Sequence, residues 1–140
     1  MSIIVMKFGG TSLADIDCIS NVAERVLDQA KTFRKIVVVV SAMSGTTNQL
    51  IELAKSTKKF SDPSEYDVVV SSGEQISAGL LSIVLKSKGL KSRSWMGWQI
   101  PLKTDNKFSK SLIEFIDIKD LNKSLEAGEI AVVTGFRGCK

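Results

Sequence analysis

The stretch Lys35-Ile36-Val37-Val38-Val39-Val40-Ser41 decides the fold class. From Ile36 to Val40 every side chain is β-branched, and apolar does not alternate with polar. A strand with one face in water alternates; a strand covered on both faces has no reason to. Ile36 to Ser41 therefore reads as an inner strand of a parallel sheet. Such a sheet needs helical crossovers, and the sequence on either side supplies them.

Upstream, Ile16, Ile19, Val22, Ala23, Val26, Leu27 and Ala30 recur with helical period, predicting a helix over Asp15 to Phe33. Before it lies a first strand, Ile3 to Phe8. Downstream, a polar loop (Ala42 to Thr47) leads into a second helix over Asn48 to Ser56. Asp62 followed by Pro63 and Glu65 is a helix start signal: a capping carboxylate, a proline at the first helical position and a glutamate placed for a capping box. The helix it opens is expected to kink at Ser71-Ser72-Gly73 and resume from Glu74 to Lys88, with Gly89 ending it. Lys91 to Trp95 reads as a third strand. Pro101 and Asp105-Asn106 mark loops or turns, and Leu112 to Ile118 fits a strand or a short helix. Leu121 to Ala127 reads as a helix, and Glu129 to Phe136 as a last strand. The expected architecture is α/β, a single domain with a mainly parallel sheet.

With 140 residues, 44% hydrophobic and 24% charged, the chain has the balance of an ordinary globular domain. Its longest aliphatic run is too short to span a bilayer, and the N-terminus reads as a strand rather than a signal peptide. A cytoplasmic protein without a membrane association is expected. The net charge of +4 comes with scattered lysines, among them Lys31, Lys55, Lys58, Lys59, Lys86, Lys88, Lys91, Lys103, Lys107 and Lys110. A solvated face explains them better than nucleic-acid binding. Cys18 and Cys139 lack metal-ligand spacing and read as free thiols. No histidine is present, so a histidine triad, a histidine metal site and a histidine base are all excluded.

In parallel sheets ligands bind beyond the carboxyl ends of the strands. Three loops leave those ends: Gly9-Gly10-Thr11-Ser12, Ser41 with Ser44-Gly45-Thr46-Thr47, and Gly135-Phe136-Arg137-Gly138. Each is rich in glycine and hydroxyls. Lys7 stands in an otherwise apolar strand, where burial without a partner is costly, and the double glycine follows it. Together they favour a polyphosphate, although Gly9-Gly10 alone also serves as a plain strand-to-helix turn. The arrangement is neither a Walker A loop nor a dinucleotide fingerprint. Thr46 and Thr47 are N-cap candidates as well as ligand hydroxyls. Glu74 reads either as a helix-start carboxylate or as a ligand group. Trp95 and Trp98 read as packing residues.

Five blocks, taken in order and spacing, resemble the aspartokinases of the amino-acid kinase superfamily. They are Lys7-Phe8-Gly9-Gly10-Thr11-Ser12; Val38-Val39-Val40-Ser41-Ala42-Met43 with Thr47; Ser72-Gly73-Glu74-Gln75; Gly97-Trp98-Gln99; and Val132-Val133-Thr134-Gly135-Phe136. The resemblance implies a three-layer α/β/α sandwich. It implies ATP-dependent phosphorylation of the L-aspartate side-chain carboxylate, the first step towards lysine, threonine, methionine and diaminopimelate. Lys7, Phe8, Gly9 and Gly10 would hold the ATP phosphates, with Mg²⁺ arriving on the nucleotide and Lys7 acting on the transferring group. Ser41, Thr47 and Glu74 would contact aspartate. The family also carries an Arg-Gly-Gly-Ser-Asp segment, a nucleotide-base pocket and regulatory ACT domains, none of which appears in these residues, and Arg137 stands where a glutamine is expected. The expectation is thus a truncated kinase domain that forms homo-oligomers; a catalytically inactive remnant that folds and self-associates is the alternative.

Overall fold

A computed structural model describes residues 2–57, 62–104 and 112–135. Lys58, Lys59, Lys107, Lys110, the Asp105-Asn106 turn, and Phe136, Arg137, Gly138 and Cys139 lie outside the described residues. The element order is β1 (Ile3–Phe8), α1 (Ile16–Gln29), β2 (Lys35–Val40), α2 (Thr46–Lys55), α3 (Pro63–Ser87), β3 (Ser92–Trp95), β4 (Leu102–Thr104), β5 (Ile113–Ile116), α4 (Lys119–Glu126) and β6 (Ile130–Thr134). Single 3-10 turns follow β1 and β3.

Four strands form one parallel sheet in the order β1-β2-β6-β3. β2 lies inside it, as its uniform valines require. The pleat divides the valines between two cores. Ile36, Val38 and Val40 face α1 and α3, joined by Phe8, Ile19, Val22, Val26, Leu81, Leu85 and Val132. Val37, Ala131, Val133 and Trp95 face the other way, against Ile100 and against Leu125 of α4. The result is the expected layering of helices on a mainly parallel sheet. Its second helical layer, among the described residues, is the short α4.

Local chemistry explains the helix ends. Asp15 accepts a hydrogen bond from the Cys18 N–H (2.8 Å) and caps α1. Asp62 accepts from the N–H groups of Ser64 (3.0 Å) and Glu65 (3.3 Å), with Pro63 at the first helical position. Gly89 closes α3 at φ +85°, and the next N–H, of Leu90, reaches the Leu85 carbonyl (3.1 Å).

Several expectations need correction. The helix opened by Pro63 does not kink at Ser71-Ser72-Gly73: α3 runs unbroken for 25 residues. The serine hydroxyls turn back onto their own helix, Ser71 to the Val68 carbonyl (3.2 Å) and Ser72 to that of Val69 (2.6 Å), and Gly73 is buried. Glu74 is therefore a mid-helix residue, not one at a helix start. The N-cap of α2 is Gly45 at φ +81°, displacing Thr46 and Thr47 into the first turn. Lys7 is not buried; it faces solvent on the side of β1 shared by Ile3 and Val5. Trp95 packs at 4% exposure, as expected, whereas Trp98 is 67% exposed. Leu112 to Ile118 contains β5, which pairs antiparallel with β4, a strand unmarked in the sequence pattern.

By length and composition α3 is apolar enough to cross a membrane, longer in effect than any single aliphatic run suggests. In this fold it is the central helix. It packs against α1, α2, β3 and β6 through Ser77, Ala78, Leu81, Ser82 and Leu85.

Candidate active site

Three strand ends are stitched together by backbone hydrogen bonds. The Ser41 N–H donates to the Phe8 carbonyl (3.3 Å), the Ser44 N–H to the Gly10 carbonyl (3.1 Å), and the Gly135 N–H to the Val40 carbonyl (2.9 Å). The exits of β1, β2 and β6 thus form one continuous rim. All three strands are parallel, so the rim lies beyond their carboxyl ends, where such sheets hold ligands.

The β1 exit is shaped by its two glycines. Gly9 is extended (φ −85°, ψ 176°), and a Cβ on it would meet nothing within 4 Å, so it opens to solvent. Gly10 is the crowded one. A Cβ there would stand 3.0 Å from the Ala42 carbonyl oxygen and 3.5 Å from the Ser44 nitrogen. Leu13, fully buried, anchors the turn to the core. Backbone is thereby presented to the rim with no side chain over it.

α3 brings Glu74 to the same place. Its Oε1 lies 3.8 Å from the Cβ position of Gly135. The neighbouring Gly73 seats α3 on the β2 exit, where a Cβ would fall 3.1 Å from the Ala42 Cβ, 3.2 Å from Leu50 Cδ1 and 3.2 Å from Thr46 Cγ2. α2 begins on this rim as well. Its first turn carries no acidic residue, and its cap offers no side-chain acceptor. The positive end of that helix is left for an anion.

The expected site residues fall as follows. Gly10, Ser41 and Glu74 come together at the rim, with Ser41 half-buried. Thr47 is exposed on the first turn of α2. Lys7 is exposed one residue short of the β1 exit, with no ion-pair partner among the described residues. The Phe8 side chain is in the core at 7% exposure, so only its backbone serves the rim. Gly97-Trp98-Gln99 forms a 3-10 turn closed by Gln99 Oε1 accepting from the Met96 N–H (2.8 Å). Arg137 is outside the described residues. Sequence reasoning overlooked the packing role of Ala42 and Ser44, the floor under Gly10. Their signal was smallness beside a glycine pair.

The shifted carboxyl groups lie at helix ends, Asp15 at the start of α1 and Glu126 at the end of α4. The backbone N–H of Cys18 holds Asp15 below its ordinary value. A side-chain hydrogen bond from Lys35 does the same to Glu126.

Residues 2–140 match the amino acid kinase family. The chain belongs to that family. Aspartokinase from Rickettsia conorii is 42% identical over 141 residues, covering 99% of this chain and 35% of its own length. Aspartate kinase from Pseudomonas putida is 43% identical over 138 residues, again 99% of this chain and 34% of its own. The crystal structure of aspartate kinase from Synechocystis superposes with a TM-score of 0.80 at 34% identity, over 96% of this chain and 22% of that one. E. coli aspartokinase III, solved with aspartate and ADP, shares the fold (TM-score 0.76, 23% identity). This amino acid kinase chain spans about a third of the length of the curated relatives it matches.

Proposed function

We propose that this chain supplies the phosphate grip and part of the aspartate-recognising wall of an aspartate kinase. The observation carrying this reading is the rim that joins the Gly9-Gly10 turn, the Ser41–Ser44 loop and Glu74 at the ends of three parallel strands.

The chemistry suits a chain without histidine. The aspartate side chain is already ionised at neutral pH, so it attacks the γ-phosphorus without a base. A bond forms from carboxylate oxygen to phosphorus as the bond to the β,γ-bridging oxygen breaks, giving 4-phospho-aspartate and ADP. The protein's task is alignment and neutralisation of charge. Gly9 and Gly10 let backbone approach the phosphates. Lys7 brings a free ammonium group to the same exit. Glu74 is placed to receive the ammonium group of aspartate, with Ser41 and Thr47 donating to its oxygens. Mg²⁺ would arrive with the nucleotide and offset phosphate charge.

A coupled assay of ADP release with ATP, Mg²⁺ and L-aspartate tests this. It compares the chain alone with the chain joined to the part of the R. conorii enzyme outside the match. The joined polypeptide is expected to release ADP only with aspartate. Lys7→Ala should lower kcat by about 10²–10³-fold, and Glu74→Gln should raise the KM for aspartate. ADP release indifferent to aspartate or to Lys7→Ala overturns the reading. The second reading, an inactive self-associating remnant, draws on the exposed apolar residues of β1; it predicts a stable oligomer of the lone chain and no turnover from the joined one.

A further inference from the structure

A cavity of about 490 Å³ opens between β3 and α4. Its size is in the range of small-molecule sites. It contains none of Gly10, Ser41 and Glu74, and Glu129 on its wall precedes β6, at the end of that strand away from the rim.

Trp95 lines this cavity and is 4% exposed, yet its indole Nε1–H has no hydrogen-bond partner. No other buried side-chain polar atom among the described residues is left in that state. A buried donor without an acceptor is costly, and folds keep few of them. The neighbouring acceptors are engaged. Glu129 Oε2 accepts from the Ser124 hydroxyl (2.6 Å) and stands 3.8 Å from Arg93 Nε. Asp120 is paired with Lys123 (3.6 Å). The Gln99 oxygen accepts from the Met96 N–H (2.8 Å), so that side chain has only donors to offer a ligand. The Arg93 guanidinium lies 5.5 Å over the Trp95 ring on an exposed side chain. The lining is rich in donors and short of open acceptors.

We propose that this cavity binds a small organic monocarboxylate. One carboxylate oxygen accepts from the Trp95 N–H and the other from Arg93, whose planar fork suits it. The N–H is covered from water, so the exposed Arg93 side chain swings off the ring to admit the anion. Charge sets the ligand class. Arg93 and Lys123 balance Asp120 and Glu129 on the lining. A single negative charge is tolerated there, whereas a phosphate dianion meets two carboxylates. The Ala127 methyl and the indole ring give a short alkyl tail an apolar wall. The site stands independently of the kinase reading.

The test is a titration of the nitrogen-15-labelled chain with sodium propionate at neutral pH, followed by NMR of the two indole N–H signals. Trp98→Phe, at a 67% exposed position, assigns the signal of Trp95. That signal should shift saturably while the Trp98 signal of the wild type stays in place. Sodium chloride at equal ionic strength and the neutral propionamide should leave it unmoved, and phosphate should bind more weakly than propionate. Arg93→Gln, at an exposed side chain, should weaken binding about tenfold or more. Lys31→Gln, which removes a cation from the end of α1, should leave it within about twofold. A Trp95 signal that ignores propionate, moves equally with chloride or propionamide, responds as strongly in Arg93→Gln, or prefers phosphate would each overturn the proposal.

Discussion

Gly73 of α3 and Ala42 of the loop after β2 meet so closely that a methyl group on Gly73 would stand 3.1 Å from the Ala42 Cβ. This contact fixes how deep α3 sits, and so where Glu74 stands against Gly135. Gly73→Ala gains about 1 kcal/mol of helix propensity against a crowding of a few tenths of an ångström. It should stay within about 1 kcal/mol of wild type. Gly73→Leu has no room among Ala42, Leu50 and Thr46 and should cost about 1–3 kcal/mol. Urea unfolding of the two variants checks the pair; equal midpoints would mean the contact is loose.

The adjacent glycines of the first loop should respond unequally. Gly9→Ala enters open space from an extended backbone and should change stability by less than about 0.5 kcal/mol. Gly10→Val pushes against the Ala42 carbonyl, which is backbone and cannot rotate away, and should cost about 1–3 kcal/mol. Thermal unfolding distinguishes them.

Neighbouring positions on α3 separate its two faces. Leu81 is fully buried in the main core, and Leu81→Ala should cost about 2–5 kcal/mol. Ile83 is 65% exposed, so Ile83→Ala should cost less than about 0.5 kcal/mol. Denaturant titration of both variants reads the helix orientation directly.

Acid should weaken the start of α1. Asp15 is held below its ordinary 3.8 by the Cys18 N–H, so the folded state favours the carboxylate. That stabilisation is full above pH 3.8 and disappears as pH falls through the lower folded-state value. Asp15→Asn keeps an oxygen acceptor but no titration. Its stability should therefore decline less than wild type between pH 5 and pH 2, roughly the window set by the carboxyl range. Parallel decline of the two proteins would remove Asp15 from the acid response.

Much of the sheet was legible because its signals were local and unopposed. Ile3 to Phe8 matched its strand at both ends, and the uniform valines of β2 announced cover on both faces. The loops that converge on the rim could be chosen because they follow parallel strands. What stayed hidden depended on contacts distant in sequence. Ser71-Ser72-Gly73 has the composition of a break, yet the hydroxyls bond back to α3 and Gly73 is held by Ala42, Leu50 and Thr46. No local pattern encodes that neighbour. Gly45 took the α2 cap from the threonines because a left-handed turn was needed there. β4 is three residues beside Pro101, too short to show a period. Trp98 looked like core by residue type, while its turn directs it to solvent.

The place of β6 between β2 and β3 has a consequence for how the chain comes off the ribosome. Among the described residues β3 pairs only with β6, so that pairing waits until β6 arrives. Synthesis of the stretch from Trp95 to Ile130 takes seconds, long compared with helix formation. During that wait β1 and β2 can zip together and collect α1 and α3, while a gap stays open where β6 will enter. β6 acts as a keystone, and a stalled or clipped nascent chain lacking it leaves an open slot for any passing extended segment. The vulnerable moment for this sheet therefore falls between the synthesis of β3 and that of β6.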